Sequence, residues 1–145
     1  MIAVDTNVLV AAHRRDAVFH QAARTVLAEL AESGSRWAIP WPCLGEFYSV
    51  ATGPRHYDPP STVGEALDQI EIWLEAPGVS LLGESASTWL VLRGLLREAK
   101  LTGPHVHDAR IAAICLAHGV RELWTADRDY GRFPRLRTRN PLVPG

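Results

Sequence analysis

Short apolar runs alternate with longer stretches of helical periodicity along the whole chain. Ile2-Ala3-Val4 reads as a buried strand that stops at Asp5-Thr6-Asn7, after which Val8-Leu9-Val10-Ala11-Ala12 resumes as the start of a helix. From His20 to Glu32, Ala23, Val26, Leu27, Leu30 and Ala31 recur at helical spacing, with Gly34 as the stop. Trp37-Ala38-Ile39 is a second strand whose exit is bracketed by Pro40 and Pro42. Leu44 to Val50 then forms a helix with Leu44, Phe47, Tyr48 and Val50 largely inward and Glu46 as its one charge. Residues 52–60 are loop by their Gly and Pro content. Ser61 or Thr62 caps a helix through Glu75 that places Val63, Leu67, Ile70 and Leu74 on one face, and Pro77-Gly78 ends it.

Val79 to Leu82 is a third strand, and Ser85 to Lys100 an amphipathic helix carrying Trp89, Leu92, Leu95 and Leu96. After a loop at 101–105, His107 to Leu116 is helical, with Asp108 at its start and His118-Gly119 closing it. Leu123-Trp124-Thr125 is a fourth strand that again leaves through acid, Ala126-Asp127-Arg128-Asp129, and Leu136 to Thr138 is a weak fifth. No internal repeat breaks the pattern. Strands alternating with helices predict an α/β fold with a central parallel sheet of four or five strands and helices on both faces.

At 145 residues, 47% of them hydrophobic, the chain fits one domain spanning residues 1–145. A net charge of -1 means that any affinity for nucleic acid must be local. Of the fifteen basic side chains only Lys100 is a lysine, which removes lysine chemistry from the rest of the chain. Cys43 and Cys115 lie in apolar contexts without metal-ligand spacing and read as buried free thiols of a reducing compartment. With no basic leader and no apolar run long enough to span a membrane, a cytoplasmic protein is expected.

Four acids have similar addresses: Asp5 after the first strand, Glu46 early in the helix after the second, Asp108 opening a helix and Asp127 after the fourth strand. In a right-handed βαβ sheet all four can converge at one end, and the carboxyl edge is where ligands of open α/β sheets bind. Two carboxylates about 4 Å apart repel by roughly 4 kcal/mol at a surface-like dielectric of 20, and four of them make six pairs. A bound divalent cation relieves this, and all-oxygen ligation selects Mg²⁺ or Mn²⁺ over Zn²⁺. Such a site, with one or two ions, suits in-line attack on a phosphodiester without a separate protein base.

The runs Ile2-Ala3-Val4-Asp5-Thr6-Asn7-Val8, Leu44-Gly45-Glu46-Phe47, His107-Asp108-Ala109-Arg110-Ile111-Ala112-Ala113 and Thr125-Ala126-Asp127-Arg128-Asp129-Tyr130 resemble, in order, the acidic motifs of PIN-domain ribonucleases. Chain length looks most like the VapC-type toxins of toxin–antitoxin pairs. The resemblance implies a single PIN-like domain, a homodimer with Mg²⁺-dependent endoribonuclease activity, and inhibition by a cognate antitoxin that inserts a segment at the acidic site. It implies Asp5, Glu46, Asp108 and Asp127 as catalytic metal ligands, Asp129 as an auxiliary acid, and Thr6, Asn7 and Thr125 in support, orienting carboxylates by hydrogen bonds.

Other readings stand beside this one. Taken singly, Glu46 reads as a solvated helix charge, and Asp108 and Asp127 as cap or turn residues. His105 and His107 flank Asp108, but helix neighbours point about 100° apart, so His107 should face away from the acids and both read as loop or surface groups. Arg128, Arg132 and Arg135, with Arg137 and Arg139, form a basic run that can hold RNA phosphates or simply be a solvated face. Arg55, His56 and Tyr57 can grip RNA or the antitoxin, or be an ordinary loop. The tryptophans mostly fit core faces, with Trp41, Trp73 and Trp89 as interface candidates. Competing functions are a housekeeping RNA-processing nuclease of the same fold, an aspartyl-nucleophile phosphatase and a non-catalytic RNA-binding module. The phosphatase lacks its second acid, because position 7 is Asn, and its lysine; the binding module should lack an acid, and none is missing.

Overall fold

The computed structural model describes residues 1–144. Five strands, β1 (Ile2–Val4), β2 (Trp37–Pro40), β3 (Val79–Leu82), β4 (Glu122–Trp124) and β5 (Thr138–Arg139), form one sheet in the order β3-β2-β1-β4-β5, and every neighbouring pair is parallel. Six helices connect and flank them: α1 (Thr6–His13), α2 (His20–Glu32), α3 (Trp41–Thr52), α4 (Val63–Glu75), α5 (Ala86–Ala99) and α6 (Val106–Ala117). Successive strand residues point to opposite faces, so a strand buried at consecutive positions is covered on both sides. Ala3 and Val4 of β1 and all four residues of β2 are buried in this way, which bears out the α/β sandwich expected from the sequence. α1 packs on α2 and α3, α3 packs on α4, and α5 packs on α6.

The strand order places β1 at the centre with β2 on one side and β4 on the other. After β1 the chain turns toward β2 and β3, and it reaches β4 and β5 on the far side of β1 only later. The crevice between the carboxyl ends of β1 and β4 is therefore a topological switch point, where the outgoing loops diverge and leave room for a ligand. Main-chain pairing holds its two walls together through the Asp5 amide, which donates to the Trp124 carbonyl at 3.0 Å, while the Thr125 amide ties the end of β4 to β5 by donating to the Arg139 carbonyl at 2.9 Å.

Helix boundaries follow local chemistry. Asp5 sits in extended conformation and accepts from the Thr6 amide, so the residue that ends β1 also starts α1. Thr62 and Glu65 form a reciprocal capping box for α4, and α3 begins three residues before the predicted Leu44, with Pro42 in its first turn, where the missing N–H costs nothing.

In α4 the predicted apolar stripe is not the packed one. Val63, Leu67 and Leu74 are exposed and Ile70 half-buried, whereas Ala66 and Trp73 are buried. Trp73 meets Phe47 of α3 edge-on, with ring centroids 4.8 Å apart, and Phe47 in turn meets His13 of α1 at 5.2 Å. An edge-to-face pair adds roughly 0.5–1.5 kcal/mol beyond burial, and the aromatic contact sets the rotation of the helix. Trp73 is thereby a core residue at 7% exposure, while Trp41 and Trp89 stand out at 57% and 55%. Cys43 and Cys115 are buried free thiols, as expected. No helix among the described residues is long and apolar enough to cross a membrane.

Candidate active site at the carboxyl edge of the sheet

Asp5, Glu46, Asp108 and Asp127 all line one cleft of about 560 Å³ at the switch point, together with Thr6, Asn7, Tyr57, Tyr130 and an apolar wall that includes Val18 and Phe19. Their elements explain the meeting. Asp5 leaves β1, Glu46 lies in the second turn of α3 just after β2, Asp108 is the third residue of α6, and Asp127 caps a 3-10 turn, Arg128–Arg132, that follows β4. Within the cleft the donors fall into two subgroups. Asp5 and Glu46 are joined by Cys43, and Asp108 and Asp127 by Asp129; within each subgroup the ligand atoms lie within 4.8 Å of one another.

Asp5 is 4% exposed and is the most heavily supported acid. Its Oδ1 accepts from the Thr6 amide at 2.8 Å and from the Cys43 thiol at 3.5 Å; its Oδ2 accepts from the Thr125 hydroxyl at 2.8 Å and the Asn7 amide at 3.4 Å. Burial nevertheless dominates these donors and pushes the Asp5 carboxyl up to about 6, with the Glu46 charge adding to the rise. Burial and the charges of Asp127, Asp129 and Glu46 likewise raise Asp108 above the usual carboxylate range, partly offset by His105. The Cys43 thiol is held well above its ordinary value by burial and by Asp5, so it is a neutral donor.

Thr125 ties the centre together. While its hydroxyl donates to Asp5, its oxygen accepts from the Asn7 side chain at 3.1 Å and the Asp127 amide at 3.0 Å. Asn7 completes the clamp by accepting from the Ala126 amide at 3.0 Å. The Thr6 hydroxyl donates to Glu46 Oε2 at 2.7 Å, which aims a side chain that would otherwise be free on α3. Asp127 Oδ1 accepts from the Asp129 amide at 2.8 Å. Of these two acids Asp127 lines the cleft, whereas Asp129 lies outside its lining, more than half exposed, with Arg132 at 4.0 Å.

The basic candidates are more scattered. Arg128, Arg132, Arg135 and Arg55 are all exposed and none lines the cleft. Arg132 contacts His105 Nδ1 at 2.6 Å, and Arg135 reaches Glu98 at 3.9 Å. Within the 55–57 segment it is Tyr57, not Arg55, that faces the cleft, under the Arg14 guanidinium 4.5 Å from its ring. His105 and His107 are exposed as expected. His107 does not point clear of the acids, however, because it lines a second groove shared with Glu46; the turn of α6 carries it toward α3.

Cys43 and Asp16 were not picked out from the sequence as parts of this site, and Tyr57 was singled out only as a loop residue able to grip RNA or the antitoxin. Cys43 carried a signal, a thiol three residues before Glu46 on a helix starting at the carboxyl edge. Asp16 carried none: Arg14, which binds Asp16 at 2.7 Å and the Pro59 carbonyl at 2.9 Å, brings its segment and that of Tyr57 together only in the fold.

An acidic cleft at the switch point of a five-stranded parallel sheet is the arrangement of a PIN domain, and the PIN domain family profile matches residues 2–136. The chain belongs to the PIN domain family, and its full-length relatives place it with the VapC ribonucleases of that family. It is 34% identical over 142 residues to VapC ribonuclease Mb2897 of Mycobacterium bovis, covering 98% of this chain and 96% of the relative. It is 31% identical over 138 residues to ribonuclease VapC48 of Mycobacterium tuberculosis, covering 95% of each. The fold matches VapBC2 of Rickettsia felis bound to a DNA fragment from its promoter, with a TM-score of 0.70, 22% identity, and 97% and 98% of the two chains covered. It also matches VapC20 of M. tuberculosis, a sarcin-ricin loop cleaving toxin, with a TM-score of 0.66, 19% identity, and 90% and 93% covered.

Proposed function

We propose that the chain is an Mg²⁺-dependent endoribonuclease, with Mn²⁺ as an alternative ion, that acts in the cytoplasm as the toxin of a toxin–antitoxin pair. The observation that carries this reading is the gathering of Asp5, Glu46, Asp108 and Asp127 in one cleft with no cationic side chain among its lining residues. These residues fit a hard divalent ion. The carboxylates supply oxygen donors, burial and neighbouring acids raise the affinity of two of them for a proton, and the contacts Asp5 makes at 3.4 and 3.5 Å are weak enough to yield to a cation. When bound, such an ion polarises a phosphoryl oxygen and lowers the pKa of water at the site.

The chain's own residues then hold and orient. Asp5, Glu46, Asp108 and Asp127 are the ligands and Asp129 an outer acid that adds negative charge. Thr125, Asn7 and Thr6 fix Asp5 and Glu46 so that little reorganisation is needed when substrate arrives. Arg128, Arg132, Arg135 and Arg55, exposed outside the cleft, attract RNA phosphates. The apolar wall with Val18 and Phe19 suits a segment of a cognate antitoxin laid into the cleft, and the exposed apolar side chains of α4 and α5 suit a homodimer contact. The names of the relatives, VapC ribonucleases and VapBC complexes, support the toxin assignment over a housekeeping role.

The test is to incubate purified protein with a mixed RNA pool in Mg²⁺, Mn²⁺ or EDTA and map the ends. Discrete internal cuts with either metal, absent in EDTA and absent in Asp108→Asn, are expected. Cleavage that survives EDTA or the substitution removes the assignment. Growth arrest on expression, relieved by the neighbouring antitoxin frame, is the expected outcome for the toxin role; unimpaired growth refutes it.

A further inference from the structure

A second groove, of about 530 Å³, adjoins the carboxylate cleft and is lined by Trp41, Pro42, Gly45, Glu46, His107 and Arg110. Glu46 lines both, so the two adjoin at this side chain. From the nuclease reading just given, on which this inference rests, we propose that the groove is a nucleobase subsite in which Trp41 stacks a base of single-stranded RNA next to the scissile phosphate.

The tryptophan is oddly placed for a structural residue. It opens α3 at 57% exposure, five positions before Glu46, although β2 and the core directly precede it. An exposed indole costs solvation that burial usually avoids, and its flat face is the surface on which a base of any identity stacks. Gly45 lines the groove without adding a side chain to it. A Cβ there would meet no atom within 4 Å, so the protein has no steric need for glycine inside a helix, where it is less favourable than alanine. The far wall carries polar groups: His107, exposed, offers ring nitrogens, and Arg110 is fixed by a bidentate pair with Glu84. A rim of imidazole, guanidinium and carboxylate around one aromatic plane matches a heterocycle edged with donors and acceptors better than the contiguous apolar patch a second protein copy would need.

The test uses the full chain and a single-stranded RNA oligonucleotide containing a cleavage site mapped with the wild type, alongside versions made abasic at each nucleotide flanking the cut. One abasic position should lower kcat/KM of the wild type about tenfold. Trp41→Ala should lose about tenfold on the intact oligonucleotide and nothing further on that abasic one, the loss appearing in KM, while Trp41→Phe recovers most of it. RNA binding by Asp5→Asn and by Asp5→Asn/Trp41→Ala, read by anisotropy without turnover, should differ by the same factor. Equal abasic penalties in wild type and Trp41→Ala overturn the subsite while leaving the nuclease standing; a wild type that cuts no RNA fells the underlying reading instead. A Trp41→Ala chain that turns from dimer to monomer on sedimentation, with abasic penalties unchanged, assigns the groove to a second copy and also overturns the proposal.

Discussion

Asp5→Asn isolates the electrostatic strain at the centre of the site, because asparagine imitates the protonated acid. Asp5 titrates near 3.8 in an unfolded chain and at about 6 in the folded one. Well below pH 3.8 it is neutral in both states. Between 3.8 and 6 the folded state keeps a proton that the unfolded state has released, so stability falls as pH rises, and above 6 the full penalty stands. A difference of about 2.2 units at about 1.36 kcal/mol each is roughly 3 kcal/mol, of which about 2.5 kcal/mol develops between pH 4 and pH 7. The variant lacks this dependence. Any fixed cost of replacing an acceptor by an amide beside Thr125 and Asn7 is the same at both pH values and cancels. In EDTA, the stability of Asp5→Asn relative to wild type should therefore rise by about 2.5 kcal/mol from pH 4 to pH 7. At about 3–4 °C per kcal/mol for a domain of this size, that is roughly 8–10 °C in relative Tm. Thermal and urea denaturation at four pH values measures it. Curves for the two proteins that stay parallel across this range would refute the burial argument for Asp5.

Asp108→Asn should abolish RNA cleavage, lowering it by at least about 100-fold, while the far-UV spectrum is kept and Tm at pH 7 is equal or higher, because Asp127 and Asp129 lose a like-charged neighbour. Saturating Mg²⁺ should stabilise the wild type by about 2.7 kcal/mol at a hundredfold excess over its dissociation constant, and an Asp5→Asn/Asp108→Asn chain by far less. Denaturation with and without metal checks this. Thr125→Val removes the donor to Asp5 and the acceptor of the Asn7 and Asp127 N–H groups; it should cost about 1–3 kcal/mol in EDTA and lower cleavage about 10–100-fold, with a Thr125→Ser chain recovering part of both.

Asp5, Asp108 and Asp127 were legible in the sequence because each falls where a strand ends or a helix begins, and Glu46 because it is the one charge in an otherwise apolar helix. Asp5 follows Ile2-Ala3-Val4, and Asp127 follows Leu123-Trp124-Thr125. Strand order was legible only as a class, since which strand lies at the centre depends on connections the hydropathy pattern does not encode. For α4 the pattern pointed to the stripe of Val63, Leu67, Ile70 and Leu74, whereas the burial of Ala66 and Trp73 goes with a ring contact to Phe47, remote in sequence. Thr125 was expected to play a supporting part, but its position at the junction of Asp5, Asn7 and Asp127 needed the parallel pairing of β1 with β4. Arg14, which lies over the Tyr57 ring beside the cleft, is set apart from the other arginines by nothing in the sequence.

The most direct measurement is an anomalous difference map from crystals grown with Mn²⁺. The account predicts density in the cleft surrounded by carboxylate oxygens of Asp5, Glu46, Asp108 and Asp127, lost in the Asp5→Asn/Asp108→Asn chain. Ordered manganese bound only elsewhere on the molecule, or an empty cleft in a protein that still cuts RNA, would contradict it.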